Sequence, residues 1–522
     1  MIFTARQIQE KSSEQHQGLY QVFVDITKAF DSVNRDALWN ILKRFGCPDH
    51  FVSILQAYHN GMEVAVNAGG LITEYFEVKC GVKQGDLIAP TLFSIFFSAV
   101  LMHAFKDCTF GVYIKYRTTG KLFNIRRFTA KTKTFQCIVR DLLYADDCDL
   151  VSDSLQDMQT LMSRLSASCK EFGLSISLDK TVVMFQPAPG VPYTAPSIYV
   201  DGVKLKVVEK FTYLGSVLNR HCSLDDEISL RIKSASDAFY ALQDRVWTRR
   251  NIKNDTKVAV YKTCVLTRLL YSCEAWVTYR KHIILLERFH QRCLRSILKI
   301  HWSSFVPDAQ VLHKANCTSI EHTIHSTRLR WCGHVVRMND ERIPKKVLYG
   351  ELLHGHRSQH KPKKRYKDCI KESLIACDIR IDGWEAAALD RYMWRQEVKR
   401  GCSTFETNKS KWAKVKRDVR KGKIPGKEVK QFVCTQCSRV CLSLAGLRSH
   451  ERSHGDRPDI CYREFVDFHA SQQVDARSGS RPDKHVCRHC KIVFKSLAGF
   501  KSHCRSHKRM ERQGLPAMVI LD

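Results

Sequence analysis

The stretch DLLYADDCDLVSD, residues 141–153, sets apolar runs on both sides of a centre that holds two adjacent carboxylates, Asp146 and Asp147. This pattern is typical of two short strands joined by a tight turn, with the acidic pair at the tip. A second β-rich run, YQVFVD at residues 20–25, ends on Asp25. If the strands are neighbours in one sheet, the three carboxylates meet at its edge. Solvated aspartates are also common in turns, so the pair alone does not establish a site.

Carboxylates that converge from separate strands suit one kind of chemistry. Phosphoryl transfer at a nucleotide uses Mg²⁺ ions that bridge phosphate oxygens and activate the attacking hydroxyl. Mg²⁺ prefers hard oxygen ligands, usually one or two carboxylates together with substrate phosphates. The pattern therefore allows a two-metal nucleotidyl transfer site.

Most of the remaining chain is expected to be helical. Asn34 can cap a helix that Gly46 ends, a second helix closes at Gly173, and a third presents one apolar face over residues 228–239. Residues 87–105 contain no Asp, Glu, Lys or Arg, a length at the lower edge of a membrane span. Because Pro90 and two serines interrupt that run, we expect a buried helix and no membrane partner.

The charge of the chain indicates its class of partner. The formal net charge is +31, and much of it lies in basic strings such as residues 360–367 and 411–423. A polyanion such as nucleic acid is the simplest partner, with a ribosomal-like or membrane-surface protein as alternatives. The 22 cysteines come without a secretory signal pattern, so we interpret them as reduced core residues and metal ligands.

Five segments resemble, in order, the sequence motifs of reverse transcriptases. They are FVDITKAFD (23–31), GVKQGDLIAPTLF (81–93), YADD (144–147), GLSISLDKTVVM (173–184) and FTYLGS (211–216). Each motif is modest alone, but the ordered set is specific. KAFDSVNR and FTYLGS resemble the non-LTR, LINE-type branch, as do RLRWCGHVVRM (328–338) and KPKKRYKD (361–368). The resemblance covers roughly residues 1 to 400.

The resemblance implies an α+β fold: a reverse-transcriptase palm of antiparallel sheet plus helices, a helical thumb and a helical C-terminal region. It also implies a role for each carboxylate. Asp25 and Asp146 would be the principal Mg²⁺ ligands, with Asp147 supporting them, and two ions are expected.

Four further residues receive roles from the same resemblance. Phe30 would lie under the incoming sugar and exclude a ribose 2′-OH, while Gln84 and Gly85 would contact the nucleotide and template. Lys180 would stabilise charge at the leaving phosphate or act as a general acid. Two alternatives stay open: Lys180 could be a plain surface lysine, and Phe30 a plain core residue.

The sequence also departs from the family. Reverse transcriptases carry a fingers region, with basic residues for the triphosphate, before the first motif, and here Asp25 is reached almost at once. We therefore expect most of the fingers, and any endonuclease domain, to be missing. Ala89 stands where relatives commonly have Ser. These departures support an alternative, a catalytically weak or inactive remnant that binds nucleic acid.

Two zinc sites are predicted near the end of the chain. Both follow the two-cysteine, two-histidine spacing of a ββα zinc finger, which completes a tetrahedral shell of thiolates and imidazoles. The ligands are Cys434, Cys437, His450 and His454 for one structural Zn²⁺ and Cys487, Cys490, His503 and His507 for the second. The base-reading helix positions hold only Ser and Gly, so we expect low sequence specificity.

These inferences give one plan for the chain. The expected units are the palm at 1–220, a thumb-like region at 221–300, a LINE-type helical region at 301–400, a basic linker at 401–430, zinc finger 1 at 431–455, a linker at 456–484, zinc finger 2 at 485–509 and a tail at 510–522. The expected function is an RNA-directed DNA polymerase whose partners are template RNA, a DNA primer or target, and deoxynucleoside triphosphates. A nuclear location is expected, with a cytoplasmic stage left open.

Overall fold

The computed structural model describes residues 1–357, 363–421, 432–434, 436–437, 439–441, 447, 450, 454, 485–486 and 493–494. The chain divides into two compact units, Met1–Val415 and Lys416–Asp522. The expected boundaries at 220 and 300 therefore fall inside one unit.

Residues 1–220 mix helices with short strands. The helices are α1 (Ile2–Glu14), α2 (Arg35–Arg44), α3 (Asp49–His59), α4 (Ala89–Ala104) and α5 (Leu155–Glu171). The strands are β1 (Leu19–Val24), β2 (Glu63–Val64), β3 (Asn67–Ala68), β4 (Leu71–Ile72), β5 (Phe76–Glu77), β6 (Val112–Tyr116), β7 (Phe135–Val139), β8 (Asp141–Tyr144), β9 (Asp147–Ser152), β10 (Val182–Gln186), β11 (Tyr199–Val200), β12 (Val203–Lys204), β13 (Lys206–Val207), β14 (Lys210–Tyr213) and β15 (Ser216–Asn219).

A five-stranded sheet in the order β13-β10-β1-β9-β8 organises this region. Its strands run antiparallel except for the β10–β13 pair. Side chains alternate along β1: Val22 and Val24 enter the core with α4 and α5, while Leu19 and Phe23 enter a second core on the other face. Because both faces are covered, the register is firmly set, since a slip of one residue would exchange the two cores.

The predicted local signals are confirmed in this region. The Asn34 side chain accepts a hydrogen bond from the Ala37 N–H at 3.0 Å and caps α2. The uncharged run forms α4, whose Leu92, Phe93 and Phe96 are buried between the sheet and its neighbouring helices. Among the described helices, none combines the length and the apolar character of a membrane span.

Helices dominate the rest of the first unit. They are α6 (Asp225–Ala241), α7 (Asn254–Val260), α8 (Thr267–Leu269), α9 (Arg280–Ile297), α10 (Asp308–Lys314), α11 (Ile320–Arg337), α12 (Ile343–Tyr349), α13 (Tyr366–Ala376), α14 (Trp384–Leu389) and α15 (Arg391–Arg420). Strand β16 (Glu351–Leu352) pairs with β6, and Phe3 of α1 contacts Trp331 and Tyr366. These contacts join the downstream helices to residues 1–220. In the second unit, β17 (Phe432–Val433) pairs with β18 (Val440–Cys441), and β19 (His485–Val486) with β20 (Val493–Phe494).

The prediction of a basic linker at 401–430 is wrong for residues 401–420, which continue helix α15. Trp394, Val398 and Cys402 recur at helical spacing and are buried against α11 and its neighbours. Lys and Arg are good helix formers, so the exposed basic face extends the helix instead of breaking it. Residues 422–430 lie outside the described part of the chain.

A buried ionic cluster fastens α1 to the downstream helices. Lys11 Nζ lies 3.3 Å from Glu351 Oε2, and Lys367 Nζ lies 2.6 Å from Glu351 Oε1. Burial opposes the charge of Glu351, but the two lysines prevail and lower its pKa to about 2. Nearby, burial raises the pKa of Glu10 to about 7, although Lys11 acts in the opposite direction. The Tyr366 N–H donates to Glu10 Oε2 at 2.8 Å.

Glu10→Gln should therefore change how stability depends on pH. The folded pKa of Glu10, about 7, is above its ordinary 4.5, so its stabilising contribution is complete below pH 4.5 and is lost as pH rises through 7. Glutamine keeps a side-chain oxygen that can accept the hydrogen bond from the Tyr366 N–H, but it carries no charge. We expect the variant to be more stable than the parent by about 3 kcal/mol at pH 8 and nearly equal at pH 4. Urea unfolding at both values, with exposed Glu63→Gln as control, measures this; an equal difference at both values would contradict it.

Candidate active site

Asp25 follows the last residue of the central strand β1. Val24 pairs with Cys148 of β9, so the next position along the chain brings Asp25 beside Asp147. The Asp25 N–H donates to Thr181 Oγ1 at 3.2 Å, and its carbonyl accepts from the Ser177 N–H at 2.8 Å. Both partners belong to the fourth predicted motif, which thereby fixes the first carboxylate in place.

The acidic pair occupies the tip of the β8–β9 hairpin, as predicted. Tyr144 pairs with Asp147, and Ala145 and Asp146 form the turn between them. Ala145 has φ 53°, a left-handed conformation that costs a residue with a Cβ about 1 kcal/mol or more. The surrounding sheet sustains this strain, and the turn carries Asp146 next to the strand that presents Asp147.

A cavity of about 320 Å³ opens beside these carboxylates. It is lined by Phe23, Val24, Asp25, Asp147, Cys148, Lys180, Phe211 and Tyr213. Lys180 Nζ lies 3.5 Å from Asp25 Oδ2, and its side chain is 73% exposed. The structure thus unites Asp25, Asp147 and Lys180 in one cavity. Asp146 is half-buried in the adjoining turn and does not line it.

The electrostatics of the site favour a cation. Burial raises the pKa of Asp147, and the charges of Asp146 and Asp25 raise it further. The buried Asp25 Oδ2 accepts no hydrogen bond from the described residues, and Lys180 approaches it only as an exposed ion pair. Carboxylates that repel one another and keep a free oxygen suit Mg²⁺, which takes oxygen ligands. These residues therefore fit a magnesium site.

The β14–β15 hairpin supplies an apolar wall that sequence reasoning did not assign to the cavity. The Phe211 ring stacks on Phe23 at 4.2 Å between centroids, and the Tyr213 hydroxyl donates to the Leu142 carbonyl at 2.8 Å. Burial raises the pKa of Tyr213 well above its ordinary value, so the ring stays neutral. The motif FTYLGS could have indicated this wall, because Phe211 and Tyr213 are two positions apart and so lie on the same face of a strand.

Asp149 is a second residue that sequence reasoning missed. It lies two positions after Asp147, on the same face of β9, and is fully buried. Gln21 Nε2 donates to its Oδ2 at 2.9 Å. Burial raises the pKa of Asp149 well above its ordinary value, which favours the neutral acid behind the acidic edge of the sheet.

Phe30, Gln84 and Gly85 lie where two motifs meet. The Val82 N–H donates to the Phe30 carbonyl at 2.8 Å, which joins the first motif to the second. The Phe30 ring stacks on Phe93 of α4 at 4.7 Å. Gln84 and Gly85 are exposed, with Gly85 at φ 88°. None of the three lines the cavity beside Asp25 in the described palm, so their nucleotide roles stay predictions.

The first predicted zinc site has converging ligands. The ligand atoms of Cys434, Cys437, His450 and His454 all lie within 4.8 Å of one another. Cys437 Sγ lies 3.0 Å from His450 Nε2, and Cys434 Sγ lies 3.3 Å from His454 Nε2. Two thiols and two imidazoles at this spacing fit tetrahedral Zn²⁺. The second predicted set, Cys487, Cys490, His503 and His507, lies outside the described residues.

Comparison with known proteins identifies the family of residues 2–218. Residues 2–218 match the family described as reverse transcriptase (RNA-dependent DNA polymerase). These residues are a reverse transcriptase domain. The matched range begins in α1 and ends in β15, so the domain includes the sheet, the acidic hairpin and the β14–β15 wall.

Curated relatives of the reverse transcriptase domain come from mobile elements. The chain is 25% identical over 252 residues to the Pol polyprotein of the type-2 retrotransposable element R2DM of Drosophila melanogaster, covering 46% of this chain and 22% of that protein. It is 23% identical over 288 residues to the RNA-directed DNA polymerase from mobile element jockey of Drosophila funebris, covering 54% and 28%. The predicted resemblance to LINE-type elements is confirmed by these relatives. The chain spans under a third of either protein's length.

Two further matches differ in coverage. A putative uncharacterized transposon-derived protein of Caenorhabditis elegans is 24% identical over 276 residues, half of this chain and 96% of that protein. Among solved structures, a telomerase from Candida tropicalis in complex with a telomeric RNA fragment covers 77% of this chain and 51% of its own, at 13% identity and a TM-score of 0.32. A score this low does not establish a shared fold.

Proposed function

We propose that this chain is the RNA-directed DNA polymerase of a LINE-type retroelement, joining deoxynucleotides to a DNA primer as it copies RNA. One observation carries the proposal. The end of β1 and the tip of the β8–β9 hairpin place Asp25, Asp146 and Asp147 at one edge of the sheet, with a buried Asp25 oxygen that accepts no hydrogen bond from the described residues. Deoxynucleoside triphosphates, template RNA and a DNA primer are the partners that this chemistry requires.

Each residue of the site has a task in this proposal. Asp25, Asp146 and Asp147 would hold Mg²⁺, which when bound neutralises the phosphates and activates the primer hydroxyl. The Thr181 hydroxyl orients Asp25 by accepting a hydrogen bond from the Asp25 backbone N–H. Phe23, Phe211 and Tyr213 keep water from one side of the carboxylates. Lys180 carries its ammonium beside Asp25, where it can donate a proton or a hydrogen bond to the leaving phosphate.

The second unit is proposed to hold nucleic acid with little sequence preference. Cys434, Cys437, His450 and His454 would hold one Zn²⁺, and the second set, beginning at Cys487, would hold another. The convergence of the first four ligands supports this assignment. A nuclear location is proposed from the DNA partner and the basic composition.

Primer extension tests the proposed activity. The full chain should extend a labelled DNA primer annealed to RNA when Mg²⁺ and deoxynucleotides are present. Asp146→Ala, purified in the same way, should give no product. If the parent chain extends no primer above the Asp146→Ala background, the alternative of an inactive nucleic-acid-binding remnant replaces this proposal.

A further inference from the structure

A large cleft lies outside the palm sheet, between α9, α10, α15 and the short helix Trp302–Ser304. Its volume is about 1360 Å³. We propose that this cleft binds single-stranded RNA, a site separate from the catalytic edge. The choice of RNA as ligand rests on the proposed function, whereas the cleft's charge and aromatic rings are properties of the structure itself.

The acidic groups of the cleft already have partners. The pairs are Glu287 with Lys409 at 3.0 Å, Asp308 with Arg295 at 2.7 Å, and Glu406 with Ser319 Oγ at 2.6 Å. By contrast, Arg288, Lys411 and Lys414 form no hydrogen bond or ion pair with any residue that the structure describes. Arg292 only lies over the Phe289 ring, at 5.4 Å. The unbalanced charge of the cleft is therefore positive, as a phosphate backbone requires.

Two aromatic side chains in the cleft lining face solvent. Trp302 is 75% exposed and Phe305 is 83% exposed. Phe305 also has φ 50°, a left-handed conformation that a bulky residue rarely adopts. Unpaired bases stack on exposed aromatic rings, whereas the bases of a duplex are stacked on each other and offer no free face. The pair of rings thus favours a single strand over a duplex.

The side-chain oxygen of Gln291 is a hydrogen-bond acceptor to which no described residue donates. Its side chain lines the cleft and is only 8% exposed, and its Oε1 has no hydrogen-bond partner among the described residues. A ligand that donates a hydrogen bond would satisfy it. The ribose 2′-hydroxyl is one such donor, and base N–H groups are another, so the oxygen suits a nucleic-acid strand.

Removing the rings tests the stacking. Trp302→Ala combined with Phe305→Ala should weaken binding of a fluorescein-labelled 20-nucleotide oligouridylate at least tenfold, measured by anisotropy without deoxynucleotides or Mg²⁺. Trp412→Ala is the matched control, because Trp412 is 63% exposed on α15 and does not line the cleft. It should change the affinity less than twofold. Equal affinities for the double variant and the parent would overturn the proposal.

Reversing the charge tests the role of the phosphates. Arg288→Glu with Lys414→Glu should flatten the plot of log affinity against log salt by about 0.7 for each phosphate that the cleft no longer neutralises. Lys253→Glu with Lys371→Glu changes the net charge equally on exposed residues outside the cleft and should leave the slope unchanged. An equal change in slope for both pairs would mean that only overall charge matters, which contradicts a cleft.

The location and type of nucleic acid are tested separately. RNA carrying 4-thiouridine should crosslink to peptides that contain Trp302 or Phe305, and crosslinks confined to other segments would overturn the assignment. Cleft variants that weaken binding of oligodeoxyuridylate or duplex DNA as much as binding of the RNA would also overturn it. Asp146→Ala should retain RNA binding. A parent chain that binds RNA at the cleft but extends no primer would therefore refute the proposed function alone, and unchanged binding by the cleft variants of an active polymerase would refute this inference alone.

Discussion

Asp25→Asn is expected to lower the rate of nucleotide incorporation by about a thousandfold or more, because it removes one carboxylate charge from the metal site. Asparagine fills the same volume, and the backbone hydrogen bonds to Thr181 and Ser177 do not involve the side chain. Asp179→Asn is the matched control, since Asp179 is exposed, lies next to Lys180 and does not line the cavity. Its rate should stay within about threefold of the parent.

The same substitution should slightly stabilise the protein while it removes activity. Asp25 raises the pKa of Asp147, so removing the Asp25 charge relieves repulsion between the two carboxylates. Without Mg²⁺ at pH 8, we expect Asp25→Asn to be more stable by up to about 0.5 kcal/mol, a small gain because solvent screens the exposed Asp147. Mg²⁺ should then raise the unfolding temperature of the parent more than that of the variant. A variant that is inactive and also markedly less stable would indicate a structural role for Asp25 instead.

Zinc removal should have the largest effect on the second unit. Structural zinc contributes about 10 kcal/mol or more to small finger domains, so a finger that loses its ion unfolds. His450 is 8% exposed and lies among three other ligands. His450→Ala should lower the zinc content from two ions per chain to one, measured by mass spectrometry of the metal. It should also open residues 432–454 to protease.

Exposed His356→Ala is the control for this experiment, and it should retain both ions. A parent chain that purifies without zinc, or a His450→Ala chain that keeps its full zinc content, would contradict the finger assignment. A parent with a single ion that His450→Ala loses would confirm the first site and reject the second.

The sequence alone could predict the acidic edge because its signals are local. The alternation along β1 and the apolar runs around Asp146 and Asp147 indicate strands, and the turn follows from the acidic centre. The start of a helix could also be predicted from the sequence, as the Asn34 cap shows. The resemblance carried by the five ordered motifs predicted that Lys180 belongs to the site. In the structure, Lys180 Nζ lies 3.5 Å from Asp25 Oδ2.

What could not be predicted depends on contacts between distant segments. The Tyr213 hydroxyl reaches the Leu142 carbonyl, and Phe3 packs on Tyr366, because the tertiary fold unites residues that share no local pattern. The basic segment after residue 400 was misinterpreted for a similar reason. Its charge suggested a linker, but burial of Val398 and Cys402 on one face makes it helical. Packing at the start of the segment and the helix propensity of its Lys and Arg residues together favour a helix over a linker.

The identity of the nucleotide added opposite each template base tests the central claim most directly. The parent chain would be mixed with a DNA primer on four RNA templates that differ only in the first unpaired base, with Mg²⁺ and one deoxynucleotide at a time. We expect each template to direct its Watson–Crick partner, with no incorporation by Asp146→Ala. Absence of incorporation, or addition of the same nucleotide regardless of the RNA base, would contradict an RNA-directed polymerase.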